Sequence, residues 1–195
     1  MGAAIVVPIK SFDLAKGRLS DALTPTKRAA LAERMAATVL AARKGLPLWV
    51  VCDDEVVAEF ATHHGARVLW RASAGLNTAV RDGADFVATK GFDRVIIAHA
   101  DLPLASDLRW VASGDGVTIV PDRRGDGTNV MCVPTGVDFR FRYGIGSAAA
   151  HQTEAQRLGL ELRVVPDERL GWDVDVPEDL AVLDNDFPLE PGATR

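Results

Sequence analysis

Apolar residues recur along this chain with two different periods. Short runs at Ala3–Ile9, Leu48–Cys52, Arg67–Trp70, Val117–Val120, Asn129–Val133 and Leu162–Val165 are bounded by turn formers and rich in β-branched residues, the signature of strands. A further run from Val95 through Ile96, Ile97 and Ala98 is expected to carry a strand up to Asp101. Between these runs the spacing changes. Leu31, Met35 and Val39 recur at i, i+4 and i+8, and Val80, Ala84 and Val87 mark a second apolar helical stripe. Thr24-Pro25 supplies an N-cap hydroxyl followed by proline at the first helical position, and Gly45 closes that helix. Asp53-Asp54 can cap a helix reaching Gly65, with His63 and His64 in its last turn. Asn77 is expected either to cap a helix reaching Lys90 or to keep its amide free for a purine edge. Ser147 is expected to cap a helix ending near Leu158, and Pro177 to open a closing one. Strands alternating with helices predict an α/β three-layer sandwich on a Rossmann-like, mostly parallel sheet. One domain is expected over residues 1–184, followed by a loose tail over 185–195 that contains Pro188, Pro191 and Gly192.

Composition narrows the partners. A chain of 195 residues with 48% hydrophobic and 25% charged content is an ordinary globular protein, and its formal charge of −5 gives no basic footprint for nucleic acid. Small molecules are the expected partners. Cys52 and Cys132 lie in apolar runs, which predicts buried free thiols in a reducing compartment. No signal peptide and no run long enough to span a membrane is present, so a cytoplasmic location is expected. Oligomeric state, monomer or homodimer, is left open.

Candidate chemistry falls on the loops. Asp101 is placed at the carboxyl edge of a buried strand, where open α/β sheets bind ligands; it reads as a metal ligand or as a turn residue before Pro103. The loop after the first strand carries Lys10, Lys16 and Arg18, three cations suited to phosphates if they are more than a solvated surface. Thr128 and Asn129 follow an Asp126-Gly127 turn. Gly144 and Gly146 precede Ser147 at a helix start, where free backbone N–H groups favour an anion. His151, one turn further on, is expected to reach the same ligand. In Asp173-Val174-Asp175 the two carboxylates share one face of an extended segment, costly unless a cation sits between them; hard Mg²⁺ answers that need. The position of this pair near the end of the chain argues against a haloacid-dehalogenase nucleophile and against a glycosyltransferase Asp-x-Asp. Without a Ser-His-Asp arrangement or a thiol site, chemistry by positioning and charge neutralisation is favoured, as in nucleotidyl transfer.

The ordered set Ala15-Lys16-Gly17-Arg18-Leu19-Ser20, Leu76-Asn77-Thr78-Ala79, Ala100-Asp101-Leu102-Pro103-Leu104, Gly127-Thr128-Asn129, Gly146-Ser147 with His151, and Asp173 through Leu180 resembles the 2-phospho-L-lactate and phosphoenolpyruvate guanylyltransferases of deazaflavin coenzyme F-420 biosynthesis. The resemblance spans nearly the whole chain. It implies a MobA-like nucleotidyltransferase fold, with GMP passing from GTP to a small phosphorylated acid. It also implies Mg²⁺ on Asp101, Asp173 and Asp175, guanine near Leu76 and Asn77, and triphosphate on Lys16 and Arg18, with Lys10 a further nucleotide-binding residue. The acid is implied near Thr128, Asn129, Gly144, Gly146, Ser147 and His151. Lys16, Arg18 and Asp101 are the implied catalytic groups. Gly17 stands where a serine is expected and Ala148 where a phenylalanine is expected. The second departure touches the acid pocket, which leaves phosphoenolpyruvate, 2-phospho-L-lactate and 3-phosphoglycerate as candidates; an Ala-, Arg- and Gly-rich composition favours the first by association only. Two alternatives remain at this level: a molybdopterin or sugar-phosphate nucleotidyltransferase, and a non-catalytic nucleotide-binding protein.

Overall fold

A computed structural model describes residues 2–72 and 75–183. Among these, seven strands form one sheet in the order β3-β2-β1-β4-β6-β5-β7. The strands are β1 Ala3–Pro8, β2 Leu48–Cys52, β3 Arg67–Trp70, β4 Arg94–Ala98, β5 Val117–Pro121, β6 Thr128–Pro134 and β7 Leu162–Val164. All share one direction except β6, which lies antiparallel between β4 and β5. The helices are α1 Pro25–Ala41, α2 Glu55–His63, α3 Leu76–Thr89 and α4 Ser147–Arg157. The expected tail over 185–195 lies outside the described residues. Among the described residues no helix is long and apolar enough to cross a membrane.

Strand alternation builds two cores from one sheet. On β1, Ile5 and Val7 point to the side covered by α1 and α2, where they meet Ala36, Val39 and Phe60; Ala4 and Val6 point to the side covered by α3, where they meet Val80 and Val87. The caps hold as local chemistry requires: Thr24 Oγ1 accepts from Lys27 N at 3.3 Å, and Asp54 Oδ1 accepts from Val57 N at 3.1 Å. Gly83 lets α3 press against β1, since a β-carbon there would stand 2.6 Å from a Val6 methyl. The chain runs outward from β1 through α1 to β2 and α2 to β3, then returns through α3 on the opposite face to β4. The carboxyl ends of β1 and β4 therefore diverge around a topological switch point, the place where such sheets bind ligands.

Two local expectations need correction. The strand does not continue to Asp101: β4 ends at Ala98 and Asp101 sits in the turn beyond it. His99 N donates to Asn129 O at 3.0 Å, so the backbone leaves regular pairing just as it enters the site. Ser147 is not the cap of α4; Gly146 is, in the left-handed conformation at φ 71°, and Ser147 is the first helical residue.

Candidate active site

Two cavities meet at the switch point. The smaller, about 210 Å³, is walled by Pro8 at the end of β1, by Ile9, Lys10, Phe12, Ala15 and Lys16 from the loop after it, by Ala32 and Met35 of α1, and by Leu76, His99, Ala100 and Asp101. The larger, about 460 Å³, is walled by Arg18, by Asp122, Asp126, Gly127, Thr128 and Asn129 of the β5–β6 hairpin, by Tyr143, Gly144, Ile145 and Ser147, and by Asp173 and Asp175. Leu76, His99 and Asp101 line both.

The charged junction lies between them. Lys16, with left-handed backbone at φ 57°, sends Nζ to within 2.5 Å of Asp101 Oδ2 and 3.2 Å of Asp175 Oδ1. Arg18 reaches Asp175 Oδ2 at 3.3 Å from an exposed position. Burial opposes ionisation of Asp101, but the Lys16 ammonium outweighs it and holds the carboxyl below its usual range. Burial likewise favours a neutral Lys16 amine, and the Asp101 and Asp175 carboxylates outweigh it to raise the pKa. Asp173 goes the other way: burial, then Asp101 and Asp175, push its carboxyl up. Three carboxylates against two cations leave negative charge in excess, and Asp101 Oδ1 is buried with no partner.

That donor set fits a hard divalent ion, which takes oxygen ligands and is commonly held by one or two carboxylates together with substrate phosphates. It is not a ready-made cage. Among the described residues no three His, Cys, Asp or Glu side chains stand close enough to enclose an ion, because Asp101 and Asp175 close on Lys16 and Asp173 turns to Asn129 Nδ2 at 3.5 Å.

The closing segment is held in place by Asp179, a residue of the matched stretch that was not among the expected site residues. Asp179, fully buried, accepts from Asp175 N at 2.8 Å, from Val176 N at 2.9 Å, and from Arg123 and Arg124. Val174 meanwhile packs with Leu19, Leu31 and Met35. Asp173 and Asp175 therefore share a cavity face, as alternation predicted, although the segment pairs in no sheet.

Other expected contacts fall differently. Asn77 neither caps α3, which Gly75 precedes, nor lines either cavity; its Nδ2 donates to Tyr143 O at 3.1 Å and its Oδ1 accepts from Tyr143 N at 2.6 Å. The amide pins the 143–147 loop to α3. His151 is fully buried and also stands behind the wall. Arg142 N donates to its Nε2 at 2.9 Å, so in the neutral ring Nδ1 carries the proton and donates to Thr128 Oγ1 at 3.0 Å, leaving the Thr128 hydroxyl proton for another acceptor. Gly146 is likewise outside the lining; its N–H donates to Asp126 Oδ2 at 3.1 Å. Thr128, Asn129, Gly144 and Ser147 do line the larger cavity, and Lys10, Lys16 and Leu76 the smaller. His99 and Tyr143, whose rings lie 5.1 Å apart, went unnoticed in sequence because a lone histidine and a lone tyrosine carry no spacing signal. The departure at Gly17 costs nothing sterically, since a β-carbon there would meet open space.

Residues 3–184 match the family described as "Guanylyl transferase CofC like". The chain belongs to this family. It is 32% identical to the phosphoenolpyruvate guanylyltransferase of Sphaerobacter thermophilus, covering 97% of this chain and 96% of that one. It is 35% identical to the 2-phospho-L-lactate guanylyltransferase of Methanothermobacter thermautotrophicus, covering 94% and 84%. A solved nucleotidyl transferase from Methanothermobacter shares the fold at a TM-score of 0.65 with 18% identity, over 94% of this chain and 95% of that chain. The family resemblance read from the ordered motifs and the expected α/β fold on a mostly parallel sheet are thereby borne out.

Proposed function

We propose that this chain, as one catalytic domain, transfers GMP from GTP to the phosphate of a small phosphorylated acid, phosphoenolpyruvate first and 2-phospho-L-lactate next, and releases pyrophosphate. The observation that carries this reading is the pair of cavities sharing Leu76, His99 and Asp101, with Lys16 at their junction. Two reactants seated on either side of one charged point suit in-line displacement. The smaller, mainly apolar cavity takes the nucleotide, with Lys10 and Lys16 toward the phosphates and Arg18 reaching the junction from the wall of the larger cavity. The larger takes the acid, with Thr128 and Ser147 offering hydroxyls and Gly144 a backbone donor, beside Asn129.

An oxygen of the acid's phosphate attacks the α-phosphorus, a phosphoanhydride bond forms, and the bond from the α-phosphorus to the bridging oxygen breaks with the electron pair leaving on pyrophosphate. A phosphate oxygen is already ionised near neutral pH, so no side chain need act as base. Asp101, Asp173 and Asp175 would hold Mg²⁺, which when bound supplies charge neutralisation at the reacting phosphates. A cytoplasmic setting agrees with Cys52 and Cys132, both buried and unpaired. The test is pyrophosphate release from GTP and Mg²⁺ with each acid in turn. Release with phosphoenolpyruvate or 2-phospho-L-lactate supports the reading; no release with any phosphorylated acid overturns it.

A further inference from the structure

We infer that Lys16 is a placeholder cation: its ammonium holds the divalent-ion position closed in the nucleotide-free protein and leaves it only when a polyphosphate offers a better partner. The inference rests on the metal reading of Asp101, Asp173 and Asp175 above, and concerns what Lys16 does before the reaction.

The geometry is specific. Lys16 Nζ lies 2.5 Å from Asp101 Oδ2 and 3.2 Å from Asp175 Oδ1, bridging carboxylates that stand 74 residues apart in the chain. Carboxylate oxygens already engaged by an ammonium are not free for Mg²⁺, which draws its ligands to about 2.1 Å. Placing a divalent charge beside an ammonium in a partly buried site also adds strong like-charge repulsion. The alternative, with no cation between them, would leave the carboxylates to repel one another next to the buried Asp173. The lysine side chain suits both duties. Its four-carbon stem carries a point charge that turns about several bonds, whereas a planar guanidinium would stay forked to one carboxylate. It lines the smaller cavity, so the same ammonium can swing toward a polyphosphate seated there without backbone movement. Nucleotide and ion are thereby coupled: the polyphosphate removes Lys16 from the carboxylates and adds oxygens of its own.

Mn²⁺ binding to the nucleotide-free protein, followed by electron paramagnetic resonance, tests this without turnover. Lys16→Met keeps the length of the side chain and removes its charge, and should bind Mn²⁺ at least ~10-fold tighter than the wild type. Adding Asp101→Asn to that variant should abolish the gain. Lys16→Gly, which accepts the left-handed backbone, should show the same gain and serves if the Met variant does not fold. Unchanged or weaker Mn²⁺ binding in the folded Lys16 variants, or a gain that survives Asp101→Asn, overturns the inference. Failure of the guanylyltransferase reading would instead show as absent pyrophosphate release from the wild type, a separate measurement.

Discussion

The smaller cavity is walled by residues that leave parallel strands and enter helices, while the larger is walled by a hairpin tip, a loop between glycines and a segment with no strand partner. The first half inherits its shape from the sheet, whose β1 and β4 ends diverge at the switch point. The second must be tied together by side chains: Asn77 to Tyr143, His151 to Thr128 and Arg142, and Asp179 to the Asp175 backbone. On the proposed assignment, a few loop residues shape the acid pocket while the sheet shapes the nucleotide side. Relatives named for two different phosphorylated acids at similar identity fit that division.

Asp101 belongs to both halves, so its removal should have the largest effect. Asp101→Asn keeps the shape and removes the charge that Lys16 answers; kcat should fall by at least ~10³-fold, about 4 kcal/mol, with the thermal midpoint nearly unchanged. Normal turnover in that variant would reduce Asp101 to a turn residue and sever the two cavities.

Next in size is a pH effect on stability that originates behind the larger cavity. Burial holds the His151 imidazole down to a pKa of about 4 from the usual 6.5. The unfolded chain takes up this proton first, so the contribution of His151 is fully present above pH 6.5 and is lost as pH falls toward 4, on the order of 3 kcal/mol in all. Urea unfolding at pH 7 and pH 4.5 should show a smaller loss in His151→Gln than in the wild type. Equal losses would mean that the ring is not held neutral behind Thr128.

The smallest effects should separate the halves. Lys10→Ala should raise the KM for GTP by roughly 3- to 10-fold and leave that for the acid alone, and Ser147→Ala should do the reverse. Both KM values moving together in either variant would break the division.

This division also decided what could be read from sequence. β2 and β3 were legible to the residue, and Thr24 and Asp54 were legible as caps, because runs of apolar residues and capping hydroxyls or carboxylates act within a few positions. Ser147 was expected as a cap, and Asn77 as a cap or a free amide, for the same reason: each has the right side chain at a helix start, but Gly146 takes the cap position of α4 and the Asn77 amide bonds a loop 66 residues away. His151 was placed on the ligand because helical spacing shows which turn it occupies and not that Arg142 N and Thr128 claim both ring nitrogens. The Asp173/Asp175 alternation held because a buried Val174 enforces it locally.

The knot at Asp179 carries a consequence for how the enzyme is born. Synthesis proceeds from the N-terminus, so a nascent chain that has emerged through β7 already has every strand of its sheet and both walls of the smaller cavity. Asp173, Asp175 and the carboxylate that fastens them follow all of these in the chain. Until Asp179 has been made, the growing polypeptide has the walls of the smaller cavity and Asp101, but neither the two carboxylates of the closing segment nor the group that fastens them.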